Sequence, residues 1–529
     1  MARVAEETVN DRINRTKHPG FVVALLLVLA SAWSVTAALG QPPGETTVLR
    51  AARILDGRGA VLEDRDLVVR DGRIAEIVPR GDGRGDRVYD LTALTVLPGY
   101  IDTHVHIGNH FDDDGKVHRD ENDPGVAHLT LHGAENAYRT LMNGITTMQS
   151  LGAPDDAELK AWIDRGEIPG PRLLSSLGAV RNDTGSPDEI RAYVRERAAA
   201  GADVIKVFAS TSIRFGGVTN MTAAQLEAAC GEARAQGLRS VVHLHRSDAL
   251  RLTADAGCTQ VEHGWMLEPG DVDVFVESGM YLGNQIDLLF RNYEERGDRY
   301  AGVGGYTLEG FANLQASRPG ALAFFRAAAA TPGVRIVYST DANAGSHGAN
   351  TDELVAYVEQ GGQDPMDAVV SATSLAAESL GLEDRIGAIA TGFEADIIAL
   401  DGDPLTDPAA LGRVVFVMRG GHVYRNDPPR AAERSTVQSR LSAAVRELVT
   451  PRGPEEQAAA IDFDILKTDT DLYADALARL PSAPRLPVDP TSQVGALGEA
   501  RSLLRERNRL LEALDASTDA TLRLLGRLP

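Results

Sequence analysis

Short apolar runs alternating with charged residues and broken by Gly or Asp fill the chain from Thr46 to Leu97, as in TTVLRAARILDG, AVLEDRDLVVRDGRIAEIVP and RVYDLTALTVLPG. Period-two alternation between turn residues predicts antiparallel strands. The same texture returns from Gly387 to Tyr424, in GAIATGFEADIIAL and VVFVMRGGHVY. The two flanks are therefore expected to build one small composite β-sandwich. Between them lie eight apolar runs: Tyr100 to His106, Gly144 to Ser150, Arg172 to Ser176, Val204 to Ala209, Ser240 to His245, Thr259 to His263, Met280 to Gln285 and Arg335 to Asp341. Helical sequences such as MTAAQLEAACGEARAQG, Met221 to Gly237, separate most of them. Eight strand-helix units is the count of a (β/α)8 barrel of the TIM type. The expected organisation is an N-terminal leader in 1–40, sandwich strands in 45–98, the barrel in 99–384, more sandwich strands in 385–425 and a helical extension in 426–529. Within the extension, Ala496 to Leu514 has the pattern of an amphipathic helix.

The leader carries Arg12, Arg15 and Lys17 ahead of an uncharged run from Phe21 to Leu39, then small residues at Ala37, Ala38 and Gly40. That order is the pattern of a cleaved export signal, with retention as a membrane anchor the alternative. Either way the positive flank stays inside and the rest of the chain is expected outside, periplasmic or extracellular. Cys230 and Cys258 permit one disulfide without predicting it. The acidic balance, 75 Asp and Glu against 53 Lys and Arg, argues against a nucleic-acid partner, which would need clustered cations. The expected partner is a small molecule. A membrane contact would come only through an uncleaved leader, and the extension is the natural place for contact between copies.

Polar residues interrupt the apolar runs near their ends, where barrel active sites form. His104 and His106 lie two apart on one strand, so both imidazoles face the same way. Lys206 sits inside Val204-Ile205-Lys206-Val207-Phe208, where a buried ammonium is costly. A carboxylate partner relieves that cost; so does carbamylation by CO2, which makes the lysine an anion able to bridge two cations. His243 and His245 end the fifth run, His263 the sixth and Asp341 the eighth. Each alone would be an ordinary polar strand end. Together they bring metal-ligating groups to one rim, which makes a metal centre the leading reading.

These motifs resemble the amidohydrolase superfamily, and within it the prolidase-like and imidazolonepropionase-related group. The resemblance runs from about Thr46 to Tyr424 through LPGYIDTHVHIG, NAYRTLMNGITTMQSLG, GADVIKVFAS, VVHLHR, GCTQVEHG and STDANAGSHG. It implies two divalent cations, with zinc the expected metal. His104 and His106 would hold the more buried ion, carbamylated Lys206 would bridge, and His243 and His263 would hold the second. Asp341 would be both ligand and catalytic proton carrier. The chain departs from the group where it reads AVRNDTGSPDE after the third strand and His-Leu-His-Arg at the fifth. The ligands survive both departures, whereas the substrate pocket is left open.

The reaction expected is hydrolysis of a non-aromatic amide bond by metal-activated hydroxide. Dipeptides of Xaa-Pro type and N-acyl amino acids are the expected substrates. Their free carboxylate needs a partner, for which His347 is the first candidate, with His245 and Trp265 in the pocket wall. Arg181, Arg214 and Arg246 also lie near strand ends. The stretches Gly108 to Gly125 and Asp287 to Gly320 are candidate lids. A lactonase using the same ions, a deaminase with one ion and an exported binding protein without catalysis are the rivals.

Overall fold

The computed structural model describes residues 45–118 and 126–427. The expected leader, the helical extension beyond Asp427 and part of the first candidate lid lie outside the described residues. The N-terminal flank forms β1 (Thr47–Leu55), β2 (Val61–Arg70), β3 (Arg73–Pro79), β4 (Arg87–Asp90) and β5 (Thr95–Pro98). The C-terminal flank adds β15 (Ile397–Leu400), β16 (Val414–Arg419) and β17 (His422–Asn426). All eight belong to one sheet, ordered β17-β16-β15-β5-β1-β2-β3, with β4 also on β1. The seam between the flanks is the antiparallel pairing of β15 with β5, Ile398 opposite Leu97. Leu49, Ile54, Leu67, Ile74, Val96, Ile397 and Phe416 are buried together between them, which is what the period-two pattern demands.

The intervening strands are β6 (Tyr100–Val105), β7 (Ile145–Ser150), β8 (Arg172–Ser175), β9 (Ala179–Val180), β10 (Val204–Phe208), β11 (Arg239–Leu244), β12 (Gln260–His263), β13 (Tyr281–Gly283) and β14 (Arg335–Ile336). Each of the eight apolar runs contains one of them; the short β9 is additional and pairs with β10. The strands form two parallel sheets, β6-β7-β8 and β14-β13-β12-β11-β10-β9. Backbone bonds join the sheets at both edges. Asp203 N donates to Ser175 O at 2.8 Å, and Thr103 N to Tyr338 O at 3.0 Å. The architecture is a TIM-barrel-like α/β fold.

Local chemistry places the helices between the strands. Ser186 and Glu189 form a capping box ahead of Pro187–Ala199, with Pro187 in the first turn. Thr222 and Gln225 do the same for Ala223–Ala235. Each box satisfies backbone N–H groups that the helix start leaves bare. Cys230, on the second of these helices, is bonded to Cys258 just before β12. Arg172 fastens β8 to the flank sheet, donating to Asp396 Oδ2 at 2.8 Å and to Thr147 Oγ1 at 2.7 Å, and pairing with Glu394.

Candidate metal centre

His104 is penultimate in β6 and His106 follows the strand, so the two imidazoles share a face as the spacing requires. Asp341 reaches them from the segment after β14, where its N–H bonds to His104 O at 2.8 Å. The Nε2 atoms of His104 and His106 lie 3.4 and 3.1 Å from Asp341 Oδ1, and 3.4 Å from one another. The tautomer of His104 is fixed from behind. Its Nδ1 lies 2.9 Å from Glu262 Oε2, so the ring proton is there and Nε2 presents a lone pair to the Asp341 oxygen. Two acceptors this close repel, and a cation between them removes the conflict. The residues therefore fit a metal ion.

The remaining predicted residues surround this trio. The His263 ring centroid is 5.5 Å from that of His104 and 4.5 Å from that of His243. His263 Nδ1 faces Gln285 Oε1 at 2.7 Å, which again directs the proton backward and leaves Nε2 unprotonated in the neutral ring. Lys206 is 1% exposed, and its Nζ has no hydrogen-bond partner among the described residues. Burial pulls its ammonium below the ordinary lysine value, against the opposing charges of Glu262 and Asp341. Burial likewise drives the imidazoles of His104, His243 and His263 far below their usual value, so they are neutral, as ligands must be. Asp341 goes the other way. Burial would raise its carboxyl, but His104, the hydrogen bond with His106 and Lys206 hold it down at about 2. Both His263 and Asp341 have positive φ, 71° and 51°, an uncommon conformation for residues bearing a Cβ.

A cavity of about 490 Å³ opens over these groups. Its wall includes Arg181, Phe208, Arg214, Tyr293 and Tyr306 beside the histidines. A model of the Amidohydrolase family matches residues 95–424. The chain belongs to the amidohydrolase family. Ochratoxinase of Aspergillus niger is 27% identical to it over 435 residues, 72% of this chain and 87% of that protein. Among solved structures, a Xaa-Pro dipeptidase with methionine bound in its active site matches with a TM-score of 0.65 at 26% identity, over 72% of this chain and 100% of that one. The A. niger ochratoxinase structure matches in fold, with a TM-score of 0.62 at 23% identity, over 73% of this chain and 97% of that one. This amidohydrolase is accordingly a metal-dependent hydrolase of carbon–nitrogen bonds, and its family generally uses divalent metals.

Several pocket expectations change. His347 does not line the cavity. It is 2% exposed, donates Nε2–H to His106 O at 3.1 Å and accepts from Thr140 at Nδ1, 3.2 Å away. It braces the His106 backbone from behind, so the substrate role assigned to it from the STDANAGSHG stretch is replaced by a positioning one. His245 and Trp265 do line the cavity; neither nitrogen of His245 has a hydrogen-bond partner among the described residues, and Trp265 donates to Gln285 O at 3.0 Å. Arg246 is turned to Gly216 O, whereas Arg181 and Arg214 reach the wall. The second candidate lid is two helices, Leu288–Tyr300 and Leu308–Ala330. They supply Leu289, Tyr293 and Leu314 to the cavity, with Tyr306 from the turn between them.

Glu262 is the residue that motif reasoning passed over. Its carboxylate receives His104, Ser339 Oγ at 2.7 Å, Gln285 Nε2 at 3.0 Å and Gln260 Nε2 at 2.6 Å. Its partner across the ladder is Gly283; a Cβ there would meet the carboxylate at 2.7 Å, so glycine makes the room. The available signal was Gln260 and Glu262 alternating on one face of a strand buried throughout.

Proposed function

We propose that this amidohydrolase is an exported enzyme with two divalent cations, zinc the expected pair, that cleaves the amide bond of a dipeptide or N-acyl amino acid. The observation carrying this reading is the convergence of His104 Nε2, His106 Nε2 and Asp341 Oδ1 within hydrogen-bond range beside a buried Lys206 amine that has no hydrogen-bond partner among the described residues. His104 and His106 would hold one ion with Asp341, His243 and His263 the other, and carbamylated Lys206 would join them. Carbamylation suits this lysine because burial brings its pKa down to about 8, which enlarges the share of nucleophilic neutral amine, and the product anion would be compensated by the cations. Bound here, such cations lower the pKa of water and polarise a carbonyl. Asp341 holds the water's proton at its carboxylate and delivers it to the departing nitrogen. Its depressed pKa keeps it ionised at neutral pH.

Arg214 is positioned for the substrate carboxylate. Its guanidinium stacks on Tyr306 at 3.9 Å, and its buried Nε has no hydrogen-bond partner among the described residues. Arg181, stacked on Phe208 at 3.9 Å, adds a second fixed charge to the wall. Phe215, Trp265 and Tyr293 give an apolar lining for an acyl or side-chain group. The bonds at both sheet edges support reading the barrel as closed, with the two-flank sheet as its composite β-sandwich. The Cys230–Cys258 bond supports export, together with the uncharged run from Phe21 to Leu39.

The test is hydrolysis of a panel of dipeptides, N-acyl amino acids and lactones by metal-loaded protein. Asp341→Asn should lower kcat at least 10³-fold, on the scale of removing a general acid–base group, while the protein keeps most of its metal. Full activity of that variant would reject the proton-carrying role. Turnover of lactones alone would reject the amide reading.

A further inference from the structure

Outside the cavity, the segment His110-Phe111-Asp112-Asp113-Asp114-Gly115-Lys116-Val117-His118 folds into a tight hairpin. Phe111 and Val117 form an antiparallel bridge. His118 N donates to His110 O at 3.0 Å and Asp112 N to Lys116 O at 2.8 Å. This register puts residue 118 directly opposite 110, with 112 one step along the same face, while 111 and 117 point the other way. The apolar pair packs against the cluster that contains Leu289, Tyr293 and Tyr300. Arg299 lies 3.6 Å over the Phe111 ring. The opposite face gathers two imidazoles and a carboxylate.

Their arrangement repeats the conflict seen at the barrel centre. His110 Nδ1 faces Gly108 O at 2.8 Å, and since a carbonyl only accepts, the ring proton is on Nδ1. In neutral His110 the Nε2 lone pair then points toward Asp112 Oδ1, 3.3 Å away. His118 Nδ1 lies 2.8 Å from the same oxygen. The three ligand atoms are within 4.8 Å of one another. The His132 ring lies flat on His110 at 3.8 Å and 10°, which restrains His110 from swinging away. Ligands about 2.0–2.1 Å from a tetrahedral zinc stand about 3.3 Å apart, so the separations of 3.3 and 2.8 Å to Asp112 Oδ1 need only small adjustment.

We propose that His110 Nε2, His118 Nδ1 and Asp112 Oδ1 form a divalent-metal site, suited to zinc, separate from the barrel centre. The ion takes the place of the proton between His118 and Asp112; that proton passes through solvent to His118 Nε2, so the imidazole stays neutral, and water completes the tetrahedron. Its role is structural. It clamps the two arms of the hairpin, whose other face braces the helix Leu288–Tyr300 that supplies Leu289 and Tyr293 to the cavity wall.

Stripped full-length protein titrated with zinc, with bound metal measured after dialysis, tests this. Asp112→Asn and His118→Gln should each bind one zinc per chain fewer than the unaltered protein. Zinc should also slow amide exchange across residues 110–118 in the unaltered protein and not in the variants. Equal zinc content in all three proteins, the result for a purely hydrogen-bonded triad, would overturn the proposal. Absence of zinc-dependent protection in the unaltered protein would do so even if a variant failed to fold. A variant of the barrel ligands, His104→Asn with Asp341→Asn, separates the two centres. It should retain the hairpin ion, and a single zinc lost only on mutating Asp112 or His118 would support this site while removing the barrel pair.

Discussion

Replacing Glu262 by Gln isolates what a carboxylate behind the candidate metal ligands does. The amide keeps the shape of the side chain, and its oxygen, placed at the Oε2 position, can still accept from His104, Ser339 and Gln285. The new NH2 would then face Gln260 Nε2, a donor against a donor. Gln260 can turn over, however, because its own Oε1 has no hydrogen-bond partner among the described residues, and after the turn that oxygen accepts the new N–H. The turn gives up the Gln260 Nε2 donation to Thr103 Oγ1 at 3.2 Å, a cost of about 1 kcal/mol for one neutral hydrogen bond. What is lost is the negative charge that polarises the His104 ring and raises the basicity of Nε2. Removal of such a partner typically weakens metal binding 10- to 100-fold, about 1.4–2.7 kcal/mol. Glu262→Ala differs in kind, since it strands four buried donors at about 1–3 kcal/mol each, a sum comparable to the stability of a whole domain. The measurement is zinc affinity by competition with a chromophoric chelator, with circular dichroism to establish that the Gln variant is folded. A folded Glu262→Gln protein that matches the original affinity within twofold would show that His104 is oriented by something other than this carboxylate.

Arg214→Met should raise KM for carboxylate-bearing substrates at least tenfold while changing kcat less, because the charge it removes lies on the wall and not at the reacting bond; steady-state kinetics with a substrate and its carboxamide analogue would read this. Cys258→Ser opens a loop closed by cysteines 28 positions apart and should cost about 3.5 kcal/mol on the chain-entropy account, seen as a lower melting temperature that added reductant no longer changes. Asp66 is buried; burial opposes its ionisation, but Arg50 and the N–H groups of Gly81 and Gly83 together hold its carboxyl below the usual range. Its stabilisation is thus fully present above the unfolded value near 3.9 and is lost as pH falls through the lower folded one. Asp66→Asn should lower stability at pH 7 by about 2 kcal/mol, less than for a fully buried pair because Arg50 is 32% exposed. The gap to the unaltered protein should close in urea titrations as pH falls through the lowered value of the folded carboxyl.

The residues that sequence makes legible here are those whose type conflicts with their surroundings. Lys206 among Val and Ile, or His104 and His106 at the end of an apolar strand, can be singled out because a polar group in a buried strand requires a reason, and period-two geometry then gives its direction. Strand positions are legible for the same cause: every apolar run between the flanks holds a strand, since a parallel strand buried on both faces has to be apolar nearly throughout. The tight end of β14 shows the limit, for only Arg335 and Ile336 pair in the ladder; Val337 N still donates to Leu282 O of β13, and Tyr338 to Asp341 turn away to bond with β6 and a neighbouring helix. Side chains that act through another residue leave no such mark. Glu262 reads as the neighbour of His263, and its importance lies in His104, 158 positions away. His347 carries the opposite error: its place in a recognisable stretch suggested contact with substrate, yet its ring is committed to the His106 carbonyl and Thr140, a matter of side-chain direction in a loop without periodicity. The hairpin cluster was hidden for a related reason, since His110, Asp112 and His118 converge only once the turn at Gly115 sets the register. Reading the ligands from sequence and their orienting partners from the fold is thus a division imposed by physics: strand periodicity is local, while the carboxylate that fixes a tautomer comes from wherever the barrel brings it.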